Sequence, residues 1–196
     1  MPLTMPSVRP TDTSWSIVSN SRQYVSPLTG AIQTAQRTGN RWRVSLTFQN
    51  LFDADRAAMQ AFLSQLQATA NNFYLQDHSY TRRADGDGTP RVNGASETGN
   101  EIDTDGWTSG TYAMLVGDFF EVNGELKMCV ADATITAGAA TIQFVPELRA
   151  TPADNTALEI DTPKGIFRLI SNESSWSNRS PVISSFTFDA VEDVIA

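Results

Sequence analysis

From Arg41 to Phe48 the chain alternates strictly: Trp42, Val44, Leu46 and Phe48 are apolar, while Arg41, Arg43, Ser45 and Thr47 are polar. A period of two sends successive side chains to opposite faces. The segment therefore predicts a strand with one buried and one wet face, as an antiparallel sheet over a core requires. Upstream, Pro27-Leu28-Thr29-Gly30 and Thr38-Gly39-Asn40 supply turn residues. They bracket a partner strand over 31–37, and the two strands read as a hairpin.

The period then changes. Met59, Phe62, Leu63 and Leu66 recur at i, i+3, i+4 and i+7, one apolar stripe of a helix over 53–70. Asp53 suits the N-cap, and Asp55 falls in the first turn, where the aligned backbone dipoles favour negative charge. Gln60, Ser64, Gln65 and Gln67 take the wetter sides. The stripe is expected to pack on the sheet begun by Trp42 as core, not as a cofactor site. Asn72-Phe73-Tyr74-Leu75 returns as a strand. Residues 79–110, rich in Gly, Asp, Thr and Asn, predict a long polar connection.

Strand patterning resumes at Tyr112 to Val116, Phe119 to Val122 and Leu126 to Val130. Asn123-Gly124 lies between the last two, a strong hairpin signal because both positions tolerate positive φ. Thr141 to Val145 alternates again and ends at Pro146. These segments read as a small barrel or meander of four or five short strands. Phe167 and Leu169 alternate around Arg168, and Phe186 and Phe188 around Thr187, strands expected to complete the first sheet. The predicted fold is mainly β: a β-sandwich or barrel body with one packed α-helix, plus a small inserted β-barrel-like module.

Charge sharpens that division. The chain holds 22 acidic and 14 basic residues, net −8. Residues 81–164 alone carry 14 acidic and 6 basic residues, also −8, which leaves 8 of each on the flanks. The shift predicts one body made from 1–80 and 165–196 around an insertion at 81–164; a polar, solvated loop region would produce the same shift. Phosphate binding requires clustered Lys and Arg, so direct nucleic-acid binding is not expected. An acidic surface repels DNA, which suits the wall of a conduit through which DNA slides. No stretch approaches the roughly 20 apolar residues of a membrane span. The first residues, Met1 to Pro6, lack the basic region and apolar run of a secretion signal. The protein is expected to be made in the cytoplasm, soluble, and able to leave a cell inside a larger particle.

Candidate chemistry is sparse. Cys129, the single cysteine, lies in an apolar run and reads as core filling; His78, the single histidine, is its one potential base. Asp85-Gly86-Asp87-Gly88 opens like a calcium loop, but Thr89, Pro90 and Ser96 stand where further ligands, a glycine and a closing glutamate belong. Glu101, Asp103 and Asp105 near Trp107 offer carboxylates beside an aromatic ring, and Trp107 with Tyr112 could form a glycan contact or belong to a solvated loop. Neither a nucleophile elbow nor a phosphate-binding glycine loop occurs. A non-enzymatic protein without cofactor or metal is the expectation.

Two sets of residues carry a family resemblance. The first is Ser26-Pro27-Leu28-Thr29-Gly30, Gln33, Arg37, Gly39, Arg41-Trp42 and the run from Ala57 to Leu66. It resembles the N-terminal part of distal tail proteins of long-tailed bacteriophages. The second is Gly117-Asp118, Gly124, Lys127, Ala131-Asp132-Ala133, Phe144, Pro146, Leu148-Arg149 and Phe167-Arg168-Leu169. It resembles the small β module of such tail-tip proteins. The resemblance implies a structural part of the virion tail, a six-fold ring between the tail-tube protein above and the tail-tip hub below. In such a ring Arg37, Arg41 and Arg43 are candidate bridges to acids on a neighbouring copy, or else residues that keep a sheet face soluble. Two other roles stay open: a host-receptor or glycan-binding module using Trp107 or Tyr112, and a tail-tube or hub subunit.

Overall fold

A computed structural model describes residues 1–179 and 183–193, a mainly β fold with one helix. The chain opens with β1 (Leu3–Thr4), β2 (Asp12–Val18), β3 (Ser21–Val25), β4 (Ile32–Gln36) and β5 (Arg41–Leu51). Helix α1 (Asp53–Leu66) and β6 (Asn72–Leu75) follow. Next come β7 (Asp87–Val92), β8 (Glu101–Ser109), β9 (Tyr112–Met114), β10 (Phe119–Val122), β11 (Glu125–Cys129), β12 (Ala133–Thr134), β13 (Ala140–Val145) and β14 (Leu158–Glu159). The last described strands are β15 (Gly165–Leu169), β16 (Trp176–Arg179) and β17 (Ile183–Glu192).

The first sheet runs β1-β6-β15-β17-β5-β2, with β16 added beside β17. Its pairings are antiparallel except β1 with β6. The alternation read in β5 is real: Trp42, Val44, Leu46 and Phe48 are buried, while Arg41 and Arg43 stand in solvent. Met59, Phe62, Leu63 and Leu66 of α1 share that core, and Phe62 meets Phe73 edge-on with ring centroids 5.4 Å apart. Each such large apolar side chain contributes about 1.5–3 kcal/mol on burial. Phe52, not Asp53, takes the N-cap position, without a side-chain cap bond. The helix stops at Leu66 because Gln67 turns left-handed and closes the last turn onto the Ser64 carbonyl.

The second sheet runs β14-β10-β11-β13-β8-β7. An Arg91–Ala157 bridge and the Val92 N–H donating to the Thr156 carbonyl bring its two ends together, giving a nearly closed, barrel-like sheet. Phe120 and Phe144 meet edge-on in its core at 5.4 Å. The Asn123-Gly124 turn joins β10 to β11 with φ of 53° and 80°, the backbone a two-residue hairpin demands.

Two expectations change. Residues 79–110 are not one polar connection: β7 and β8 lie within them, with Val92, Ile102 and Trp107 buried. Their few apolar residues point inward, together with Thr104, whose hydroxyl is satisfied by the Ala140 carbonyl and the Trp107 indole. The segment over 31–37 does form a hairpin, but β4 pairs with β3, and β5 pairs with β2 and β17.

The sheets meet at Trp42. Its indole Nε1–H donates to the Leu126 carbonyl at 2.9 Å, and its ring lies 5.7 Å from that of Phe119. Glu192 of β17, 1% exposed, accepts from the backbone N–H groups of Trp42 and Leu126 and from the Arg149 guanidinium. Alongside, Lys127 Nζ donates to Glu125 at 2.6 Å and to the Glu147 carbonyl at 2.8 Å. Burial pushes the Lys127 ammonium below its usual range, and the Glu125 carboxylate pulls it back.

Candidate functional site

The hairpin of β2 and β5 does not end where the sheet ends. Pairing runs to Val18–Arg41, pauses at a waist, and resumes from Ser21–Gln36 to Val25–Ile32. The waist is fastened by Asn20. Its backbone N–H donates to Asn40 Oδ1 at 2.9 Å, its side-chain amide to the Thr38 carbonyl at 2.8 Å, and its carbonyl accepts from the Arg37 N–H at 3.2 Å. At the tip, the Ser26 N–H donates to the Ala31 carbonyl and the Gly30 N–H to the Ser26 carbonyl, both at 2.9 Å.

Every residue of β3 and β4 is exposed, and among the described residues the two strands pair only with each other. Register sorts the side chains of this arm into two faces. Val25 and Ile32 sit opposite each other on one face, and Tyr24 and Arg22 lie on the other. Tyr24 is 55% exposed, Val25 61%, Ile32 63% and Leu28, at the tip, 95%. An isolated two-stranded hairpin is marginally stable in water, and its free edges invite further pairing. The outer edge of β2 is likewise unpaired among the described residues, with Ile17 and Val18 exposed beside it.

The arginines sit around the base of this arm. Arg37 lies at the waist, Arg41 at the last β2–β5 pair, and both side chains are exposed. Arg43 is already engaged, its guanidinium 2.9 Å from Asp189 of the same chain. The side-chain hydrogen bonds from Arg43 and Ser45 hold the Asp189 carboxyl below the usual carboxylate range. A bridge from Arg43 to a neighbour would have to compete with that pair.

The proposed glycan contact is corrected at Trp107. Its ring is 4% exposed, its Nε1–H donates to Thr104 Oγ1 at 2.9 Å, and Arg82 lies 5.9 Å from its centroid. A sugar has no access to that ring. Tyr112 stays partly exposed. The nearby acids serve strand neighbours: Asp103 accepts from the Thr141 hydroxyl and Glu101 from the Gln143 amide.

The Asp-Gly-Asp-Gly run also has a structural use. Asp85 accepts from the backbone N–H groups of Thr111 and Tyr112, and these bonds hold its carboxyl below the usual range. Among the described residues no group of three or more His, Cys, Asp or Glu is placed to hold a metal ion. Burial pushes the Cys129 thiol up, which disfavours the thiolate a nucleophile would need. His78 lines a separate cleft with Arg9, Tyr74 and Lys164.

Sequence reasoning missed Tyr24, Val25 and Ile32 as surface residues because it paired their hairpin with the wrong strand. One signal was present: no Asp or Glu occurs between Asp12 and Asp53. The fold and this surface together define a mainly β protein with one nearly closed sheet, one sheet with an open edge, and a bare two-stranded arm. No protein-family model matches the chain, and no curated protein matches it.

Proposed function

We propose that this chain is a structural subunit of a bacteriophage tail tip, assembling with its own copies into a ring, six-fold by resemblance, that joins the tail-tube protein to the tail-tip hub. The observation that carries the reading is the β3–β4 arm, which is fully exposed and bears apolar side chains at its tip. A lone chain gains little by holding Leu28 and Ile32 in water; a subunit that buries them against a neighbour gains their transfer free energy. The acidic balance of the chain fits a conduit that DNA passes without sticking. A tail-tube or hub subunit differs from this reading only in position along the tail. The receptor reading has lost Trp107 and rests on Tyr112 alone.

Light scattering of the purified chain, with negative-stain images of the same sample, tests the proposal. A particle near six times 21.4 kDa, about 128 kDa, with a central hole is the expected result. A monomer that binds host cells would move the assignment to a receptor-binding module.

A further inference from the structure

We infer that the cleft beside the end of β6 holds the phosphoryl group of a small organic phosphate, with Arg9, His78 and Lys164 as its contacts. Three segments distant in sequence build it. Met5 and Val8 sink into the first core and pin the N-terminal segment, which leaves Arg9 exposed. In β6, Phe73 and Leu75 are buried, so the period of two turns Tyr74 the other way, and Gln76 and His78 line the cleft with it. Lys164, also exposed, arrives just ahead of β15, whose Gly165 pairs with Leu75.

The chain carries net −8, yet among the described residues no acidic side chain lines this cleft. Asp77, next to His78, turns its carboxylate to the N–H and hydroxyl of Ser79, at 2.9 and 2.6 Å. Glu121 accepts from the Lys164 backbone N–H at 3.2 Å. No ion pair among the described residues includes Arg9, His78 or Lys164. On so acidic a chain, basic groups that converge without a carboxylate between them are free for an external anion. His78 is poised for one. Its Nδ1 is buried without a hydrogen-bond partner, which leaves Nε2 as the nitrogen open to the cleft. Burial pushes the imidazole below its usual range; Asp77 opposes that shift, Arg9 adds to it, and the Gln76 carbonyl favours the proton. A bound dianion reverses the balance. The ring takes a proton from solvent, Nε2 donates to a phosphoryl oxygen, and Nδ1 turns its proton to the Gln76 carbonyl.

Shape selects the class of anion. A planar carboxylate is served by one arginine fork, whereas the tetrahedral oxygens of a phosphoryl group diverge and meet donors from separate segments. The cleft, about 440 Å³, is far larger than a bare phosphate and falls within the range of small-molecule sites. Pro6 and Tyr74 offer apolar surface to a carbon skeleton, and the hydroxyls of Thr4 and Ser7 offer it hydrogen bonds.

His78 is the only histidine in the chain, so its imidazole signals read this site alone. NMR of the full chain, titrated with glycerol 3-phosphate at constant ionic strength, should move those signals to saturation and raise the midpoint of their pH titration. Glycerol should leave them in place, and inorganic phosphate should saturate only at higher concentration. The Arg9→Gln/Lys164→Gln double variant, which alters two exposed side chains, should keep its melting temperature and bind about tenfold or more weakly. Competition from phosphatidic acid vesicles would assign the phosphoryl group to a lipid headgroup, and its absence to a soluble ester. A His78 shift that grows without saturating, or that succinate produces at the same concentrations, overturns the inference. So does a double variant that binds like the parent. None of these outcomes depends on particle mass, so the site stands or falls separately from the assembly reading.

Discussion

Tyr80 shows how a single side chain here records its surroundings. Its hydroxyl donates to the Phe119 carbonyl at 3.3 Å and its ring meets Phe119 edge-on at 5.4 Å. Burial first, and the nearby Asp118 carboxylate second, push its phenol from 10.0 up to about 12. A group with a raised folded pKa contributes stability that is fully present below its unfolded pKa. That contribution is lost as pH rises from 10.0 to about 12. Urea unfolding on either side of that window should show the loss, and Tyr80→Phe should shrink it; a variant as pH-sensitive as the parent would assign the loss elsewhere. Asp118 itself is fully buried and accepts from the N–H groups of Arg83, Ala84 and Leu115. Leu115 is a local partner, but Arg83 and Ala84 come from a segment 35 and 34 positions away, which nothing in the sequence around Asp118 announced.

At the scale of the element, the strands with strict alternation were legible and those bent by glycine were not. In β5 from Arg41 to Phe48, and in β13, every second residue is buried, so the pattern alone gave the face. In β7 and β8 the register shifts at Gly88, and the inward residues are few. The bend depends on close backbone approach: a Cβ at Gly106, where φ is +84°, would lie 2.4 Å from the Thr89 carbonyl oxygen. Gly99 has nearly the same φ, +80°, but open space around it. Gly99→Ala should therefore cost about 1 kcal/mol from backbone strain alone, and Gly106→Ala clearly more, read from paired urea titrations. Equal losses would show that the approach of β7 to β8 relaxes freely. The arm was misread for a different reason. Turn residues flank the β4 segment on both sides, so spacing alone could not say whether it pairs backward or forward.

Across the whole molecule, the junction decides whether two sheets behave as one protein. Glu192, Arg149, Glu125 and Lys127 form a buried network that joins β17 of the first sheet to β11 of the second. A buried pair adds little over a well-packed apolar replacement, yet removing one partner strands the other's charge. Glu192→Gln should cost about 3–5 kcal/mol by leaving Arg149 uncompensated. In the parent, probes of Trp42 and Trp107, one in each core, should report a single transition. Two separated transitions in the parent would mean that the network does not couple the sheets. The charge count alone marked 81–164 as acidic; the buried network was not legible, since its members are spread from Glu125 to Glu192.

The way the chain passes between the sheets has a consequence for descent. It departs after β6 and re-enters at β15, and these strands are paired neighbours, with Leu75 opposite Gly165. The two ends of everything in between thus stand about 5 Å apart, the spacing of adjacent strands. Residues 76–164 form a cassette hung on a doorway no wider than a tight turn. Exchanging it for another fold would leave the hydrogen-bond ladder of the first sheet in its present order. Any replacement would have to supply again the apolar cover that Phe119, Leu126 and Met128 lay over the first core and a cation to pair with Glu192 in place of Arg149, so the frame dictates what its ornament must carry.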